Sequence, residues 1–233
     1  MSDWNRLEYA ESRYREREPW EYSERGVERL RHAWIAELAQ SFHAKRTLDL
    51  GCSLGQLTGR LAELPTHLFA ADLSPTAVTR ARENLQSTRV SVVEFVAARS
   101  VALPFKSGSF DLIIASDGLY SWDIERDERA VALVEIHRVM STAGVAIFTD
   151  HMRRNRFAEF VSEIETSALR VVSVSFLYDR LAYQFESWFR GVRRSRISKA
   201  VLRSTNVAMI LSQIGRLFGS RGSRHVCVIA RKE

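Results

Sequence analysis

The sequence predicts a doubly wound α/β fold: a seven-stranded, mostly parallel sheet with helices on both faces. Three observations carry that prediction. Short apolar runs of strand length alternate with charged, amphipathic stretches of helix length along most of the 233 residues. The first run passes straight into a glycine turn, as a strand does where it feeds a crossover helix. The second run ends on an acid, Asp72. A hydrophobic fraction of 45% supports a sizeable core and excludes disorder as the overall state. No apolar run approaches the roughly 18–20 residues of a membrane span. The Arg- and Glu-rich first twenty residues are no signal peptide. Two distant cysteines, Cys52 and Cys227, form no ligand cluster, so a reducing, cytoplasmic setting is expected and no metal site.

The elements follow in order. Residues 1–45 read as an N-terminal helical segment, broken by Pro19-Trp20 before a second helix starting near Ser23. Leu30, Trp34, Ile35 and Leu38 recur at helical spacing and predict one buried stripe. Residues 47–50 form the first strand, Gly51-Cys52-Ser53-Leu54-Gly55 the turn, and about 56–63 a helix. Residues 67–71 are the second strand, ending at Asp72. Ser74-Pro75 then starts a helix reaching about Leu85, with Ser as cap and Pro in the first turn. Strands at 90–96 and 110–115 come next, then a helix at about 127–140 stopped by Thr142-Ala143-Gly144. A fifth strand at 145–149, a helix near 155–168 and a sixth strand at 171–177 complete a core unit of residues 46–179. Residues 180–224 read as a helical insertion of two or three amphipathic helices, and 225–233 supply the last strand.

Charge is unevenly placed. The chain carries a formal +6, but 180–224 holds ten basic residues and one acid, Glu186, a net +9 that leaves −3 for the rest. Such a block suits an anionic partner, or is a solvated basic helix face.

The glycine turn and Asp72 form the clearest functional signal. Glycines let the backbone lie against a ligand, and an acid at the next strand tip can take both hydroxyls of a ribose. A pyrophosphate-binding loop is a poor match, because Asp49 stands two residues before the first glycine and would repel it. A cationic nucleoside bearing an amino group, such as S-adenosylmethionine, fits better.

Leu48-Asp49-Leu50-Gly51-Cys52-Ser53-Leu54-Gly55 resembles the first motif of class I S-adenosylmethionine-dependent methyltransferases. Asp72-Leu73-Ser74 resembles their second. Leu103-Pro104-Phe105 with Gly108-Ser109-Phe110-Asp111-Leu112-Ile113 is similar to the segment entering their fourth strand. The likeness covers about residues 45–150. It implies a Rossmann-like fold with S-adenosyl-L-methionine as cofactor, held by Asp49, Gly51, Cys52, Ser53, Gly55, Asp72, Leu73 and Ser116. Two positions depart from the pattern. Ser53 replaces a usual glycine, and Arg99 stands where an acid often precedes the Leu-Pro-Phe stretch, which shifts adenine recognition to the backbone of Ala98 and Arg99. Pro19-Trp20-x-Tyr22 followed by Glu28-x-x-Arg31 resembles the start of the nodulation protein S-like branch. That resemblance implies that residues 1–45 form a lid, with Trp20 at the cofactor, and that the acceptor is an amine such as an amino sugar.

Methyl transfer needs alignment of acceptor and methyl group, and a base where the acceptor must lose a proton. In such a fold the acceptor lies over the ends of strands four and five. There Asp117 is a candidate to hold or deprotonate an ammonium, Tyr120 to align the acceptor, and His151 to act as general base. Strands six and seven are usually joined by a short hairpin in this superfamily. The insertion between them is expected to cap the acceptor site, to rest on an anionic membrane surface or to pair two copies through its apolar face. The functional expectation is N- or O-methylation of a small-molecule or glycan acceptor, anionic or lipid-linked, by a monomer or homodimer. Two other readings are an RNA methyltransferase tracking phosphates with its insertion and a non-catalytic, membrane-associated protein. No RNA-binding module or Asn-Pro-Pro-Tyr-type base pocket supports the first of these.

Overall fold

The alternation of apolar runs and helical stretches builds one sheet. In the computed structural model, which describes residues 3–86, 93–120, 124–189 and 196–232, the strands are β1 (Arg46–Leu50), β2 (His67–Asp72), β3 (Val93–Ala97), β4 (Phe110–Ser116), β5 (Met140–His151), β6 (Leu169–Phe176) and β7 (His225–Lys232). Their order is β3-β2-β1-β4-β5-β7-β6. The first five pair in parallel, and β7 runs antiparallel between β5 and β6. The chain order reverses at β1, which lies between β2 and β4. The crevice beyond the carboxyl ends of these three strands is where ligands bind in open α/β sheets.

The helices are α1 (Asp3–Arg13), α2 (Gly26–Gln40), α3 (Gln56–Leu61), α4 (Pro75–Gln86), α5 (Arg126–Val139), α6 (Phe157–Glu165), α7 (Arg180–Phe189), α8 (Arg196–Arg203) and α9 (Thr205–Arg216). Strand alternation sorts the core into two faces. Leu48, Phe110, Ile113 and Phe148 pack under Leu133 and Ile136 of α5 and Phe160 of α6. Leu68, Leu112, Ile114 and Ile147 pack under Ile35 of α2 and Leu57 and Leu61 of α3. These side chains are almost wholly buried, at about 1.5–3 kcal/mol of transfer free energy apiece.

Two details differ from the sequence expectations. The fifth strand begins at Met140, directly after α5, not after a turn at 142–144. Met140 pairs with Phe110, and a bulge then shifts the register to Leu112–Val145. On α2 the apolar stripe is not the most buried face. Leu30, Trp34 and Leu38 are half-buried, while Val27, Glu28, Arg31, His32, Ile35 and Ala39 are inside. That helix lies between the sheet and the insertion, so its polar residues face the interior. Glu186, the one acid of the basic block, is buried against Arg25 at 2.7 Å. The expected strand residues 90–92, the loop residues Ser121 and Trp122, and the basic residues Arg190, Arg193 and Arg194 lie outside the described residues.

Among the described residues the insertion holds three helices, within the expected two or three, and they pack on α2. Val27 and Leu30 meet Ala182, Tyr183, Ala208 and Leu211. At Gly26 the approach is so close that a Cβ would lie 2.4 Å from the carbonyl oxygen of Ser204. No helix among the described residues is long and apolar enough to cross a membrane.

Candidate active site

Beyond the carboxyl ends of β1, β2 and β4 lies a cavity of about 280 Å³. Its floor is Leu50 and Gly51 from β1 and its turn, Asp72 and Leu73 from β2, and Ala115 to Leu119 from β4. Ala98 and Arg99 follow β3 on one side, with the Ala98 N–H donating to the Asp72 carbonyl at 2.8 Å. Leu7, Ala10 and Tyr14 of the first segment, with Trp20 and Tyr22, close the other side.

The turn is tight because backbone donors are spent at once. The N–H groups of Gly51 and Cys52 both donate to the Ala71 carbonyl, at 2.8 and 2.9 Å. Gly51 has φ +89° and faces Gly118. A Cβ there would stand 3.9 Å from the Gly118 Cα, filling space that the bare backbone leaves to the cavity. Asp72 is 7% exposed, and its two carboxylate oxygens accept from the N–H groups of Ser53 at 2.9 Å and Ser74 at 3.0 Å. Burial pushes its pKa up to about 6, against the lowering effect of those bonds. The carboxylate thus lies at the cavity with lone pairs left for hydroxyl donors.

The first segment is fastened over this crevice. Glu11 accepts from the hydroxyls of Ser74 and Thr76 and, at 3.2 Å, from the Thr76 N–H, so it caps the start of α4. Arg80 donates to the carbonyls of Tyr14, Glu16 and Arg17 at 2.5 Å each. Trp20 meets Tyr14 edge-on, with ring centroids 6.3 Å apart, and Arg13 lies 5.0 Å over the Trp20 ring. Arg6 pairs with Glu128 across the mouth.

Beside the β4 tip a buried charge network begins. Asp117 has φ +52° and occupies the switch-point turn. Its carboxylate meets Arg31 Nη1 at 2.8 Å and His225 Nε2 at 3.5 Å, and accepts the His151 N–H at 3.1 Å. Arg31, 1% exposed, also donates to Ser116 Oγ at 2.6 Å and to Glu28 at 3.0 Å. Glu28 accepts from the Tyr183 hydroxyl at 2.7 Å, and His225 Nδ1 bonds Asp179. Arg31 and His225 hold the Asp117 carboxyl well below the usual carboxylate range, although burial opposes them. Asp179 and Asp117 raise His225 to about 10, again against burial. One continuous set of charges therefore ties α2, the β4 tip, β7 and α7 together.

The candidate residues separate accordingly. Gly51, Ser53, Asp72, Leu73, Ala98, Arg99, Ser116, Asp117 and Trp20 line the cavity. Asp49, Cys52 and Gly55 do not. Asp49 points to the opposite sheet face, because Leu48 and Leu50 face the cavity side, and it accepts from Thr58 Oγ1 at 2.7 Å. Burial lifts it to about 7, so it is no fixed counter-charge for a cation. Cys52 packs on Ala70 and Ala81, and Gly55 with φ +84° lets the turn press on Ala81. Tyr120 is turned away. Its hydroxyl donates to Glu163 at 2.5 Å and its ring lies on Phe160, below Arg129. Asp117 is already neutralised by Arg31, so it neither holds a free ammonium nor takes a proton near neutral pH. His151 is not among the lining residues either; 45% of its side chain is exposed and its Nδ1 lies 3.8 Å from Asp117.

Ligand atoms of Asp117, His151 and His225 lie within 4.8 Å of one another. Arg31 occupies Asp117, and a protonated His225 carries hydrogen on both ring nitrogens, so the cluster reads as ion pairs and not as a metal centre. Sequence reasoning had not found Tyr14, His225 or Asp179 as site residues. Ala10 and Tyr14 had a signal, an i, i+4 pair on one helix face. His225 and Asp179 had none, since they meet through the antiparallel pairing of β7.

Comparison with known proteins fits this geometry. Residues 48–148 match the methyltransferase domain family. The chain is 24% identical over 184 residues to a phthiotriol/phenolphthiotriol dimycocerosates methyltransferase of Mycobacterium ulcerans, covering 78% of this chain and 63% of that protein. It is 25% identical over 179 residues to a ubiquinone biosynthesis O-methyltransferase of Paraburkholderia xenovorans, covering 76% and 70%. The chain spans 64%, 55% and 63% of the length of three curated relatives it matches. Its fold superposes on the N-methyltransferase NodS of Bradyrhizobium japonicum, solved with S-adenosylhomocysteine, at a TM-score of 0.68 and 19% identity, covering 98% of each chain.

Proposed function

We propose that the chain, whose residues 48–148 match a methyltransferase domain, is a class I S-adenosylmethionine-dependent methyltransferase that methylates an amine or hydroxyl of a small-molecule or glycan acceptor. One observation carries the reading. A single cavity gathers the Asp72 carboxylate, the bare backbone of Gly51, the post-β3 backbone of Ala98 and Arg99, and Asp117, whose carboxylate accepts the His151 N–H. These residues fit the cofactor: Asp72 would hold the ribose hydroxyls, Gly51 admit the amino-acid end, and Ala98 and Arg99 flank the adenine. When bound, the cofactor supplies a methyl group on an already activated sulfonium.

The protein's own residues then have three tasks. Trp20, Tyr14 and Leu7 exclude water from the cavity, with residues 1–45 acting as the lid. Arg31 and His225 fix Asp117, and Asp117 fixes the His151 backbone. His151 accepts the proton that the acceptor nitrogen or oxygen sheds.

The insertion is the second part of the proposal. Trp188, Ile197 and Leu217 are 79%, 78% and 84% exposed; Trp188 is near the end of α7, Ile197 stands between Arg196 and Lys199 on α8, and Leu217 follows Arg216 at the end of α9. Exposed aromatic and aliphatic side chains among cations suit the headgroup region of an anionic bilayer, approached from the cytoplasmic side. Nucleic acid would leave those apolar groups uncovered. Incubation with methyl-labelled S-adenosylmethionine and fractionated cell extract is expected to label a small-molecule or lipid fraction, and Asp72→Ala to abolish it. Label confined to RNA, or none at saturating cofactor, would contradict the reading. Vesicles containing phosphatidylglycerol are expected to sediment the wild type and to lose Trp188→Ala/Leu217→Ala.

A further inference from the structure

A second concavity, of about 300 Å³, is lined by Arg153, Arg154, Asn155, Arg180 and Arg221. Four guanidinium groups share it and no carboxylate lines it. Arg153, Arg154 and Arg221 are exposed, and no acid pairs with them among the described residues. Arg180 donates through Nη2 to the Ser223 carbonyl at 3.0 Å, while its Nε is buried with no hydrogen-bond partner. The nearest acid in sequence, Asp179, is already committed to His225 and to the N–H groups of Arg224 and His225.

Four like charges brought together repel one another, and each keeps its donors. What relieves both is a dense anion with several acceptor oxygens. Arg forks match phosphate geometry in pairs, so four of them suit a phosphate or diphosphate better than a single carboxylate. The place matters as much as the charge. Arg153 and Arg154 follow His151 by two and three residues. Arg221 precedes His225, which pairs with His151 across β5 and β7. Arg180 adjoins Asp179, the partner of His225. Arg153 and Arg154 thus follow the end of β5, Arg221 lies in the turn before β7, and Arg180 opens α7.

We infer that this pocket binds a phosphate or diphosphate group of the methyl acceptor and so sets which acceptor reaches His151. The inference deepens the methyltransferase reading and rests on it for the reaction. It makes the acceptor a phosphorylated molecule, whether a soluble phosphate ester or a lipid headgroup. The enzyme that supplies this acceptor is then a kinase or a diphospho-transferase. Binding leaves the phosphate unreacted, because a guanidinium keeps its protons near neutral pH and only donates hydrogen bonds, and the methyl group goes to the acceptor nitrogen or oxygen.

The test is calorimetric titration of the full chain with inorganic pyrophosphate at fixed ionic strength. Saturable one-site binding is expected, weakened about tenfold by Arg221→Ala and again by Arg153→Ala/Arg154→Ala, with Arg180→Gln as a second, milder probe. Lys106→Ala, an exposed charge on another part of the surface, is the control for net charge. Displacement of bound pyrophosphate by phosphatidylglycerol vesicles would assign the phosphate to a lipid headgroup. Retention would assign it to a soluble ester. No saturable binding, or equal losses in Lys106→Ala and Arg221→Ala, would overturn the inference. Binding of S-adenosylhomocysteine is measured on the same samples. If it persists while pyrophosphate fails, the arginine pocket falls and the methyltransferase reading stands. If it too is absent, the reading itself falls.

Discussion

Replacing Arg31 with Met removes one guanidinium from a site that no water reaches. The side chain is 1% exposed, and its loss leaves two carboxylates, Glu28 and Asp117, without their shared cation. His225 would still face Asp117 at 3.5 Å, and Arg25 would still face Glu28 at 3.2 Å, so neither acid is wholly orphaned. Breaking one partner out of a buried ion pair costs about 3–5 kcal/mol. At about 2–4 °C per kcal/mol for a chain of this size, that is a fall of about 6–20 °C in Tm. The sign of the pH dependence is a sharper test. In the wild type, Glu28 and Asp117 are held below their ordinary values, so their contribution is present above the usual carboxylate range and is lost as pH falls through the depressed values. His225 is raised to about 10, so its contribution is complete below about 6.5 and is lost as pH climbs toward 10. In Arg31→Met the two acids move upward, and the deficit should shrink on acidification from pH 7 to 5. Asp117→Asn in the same background should restore part of the loss. Thermal unfolding of the four proteins of this cycle, from pH 5 to 9, provides the assay. An Arg31→Met protein within about 1 kcal/mol of wild type at every pH would refute the buried network, given that removing one partner of such a pair ordinarily costs about 3–5 kcal/mol.

Three further predictions concern the cavity and its walls. Cofactor affinity should fall below pH 6, by about tenfold at pH 5, because a protonated Asp72 offers one acceptor fewer to the ribose. Titration of S-adenosylhomocysteine at pH 5, 6 and 7 would show it, and a flat profile would argue against Asp72 as the ribose partner. His151→Ala should lower kcat by about 10²–10⁴ with little change in Tm, since the side chain is half-exposed. Gly26→Ala should cost about 1–3 kcal/mol, because its Cβ meets the Ser204 carbonyl at 2.4 Å. Denaturant unfolding would measure that cost, and a neutral result would mean that α2 and the insertion are not closely packed.

How much of this the sequence could tell depended on the range of the interaction. The glycine turn and Asp72 were legible because φ above zero at Gly51 and an acid at a strand tip are local demands on residue type. The Thr142-Ala143-Gly144 stretch misled for a related reason. Its turn-forming residues are drawn into β5 by the pairing of Met140 with Phe110, which local propensity does not register. The surroundings of Asp117 were not legible, since the cation that neutralises it comes from position 31 and the imidazole from position 225. The direction of Tyr120 was not legible, because a strand-end aromatic can turn toward a ligand or toward the core, and here its hydroxyl donates to Glu163 and its ring lies under Arg129. The basic insertion was visible as a +9 block. Its concavity was not, because Arg153 and Arg154 come from a different segment and join Arg180 and Arg221 only in the fold.

The central claim is that the cavity under α1 is a cofactor site organised by Asp72. Calorimetric titration of S-adenosylhomocysteine into wild type and Asp72→Ala at pH 7.5 tests it most directly. One-to-one binding by the wild type and a loss of at least about tenfold in the variant, the equivalent of hydrogen bonds to a charged group, is the result expected. No binding by the wild type, or equal binding by both, would contradict it.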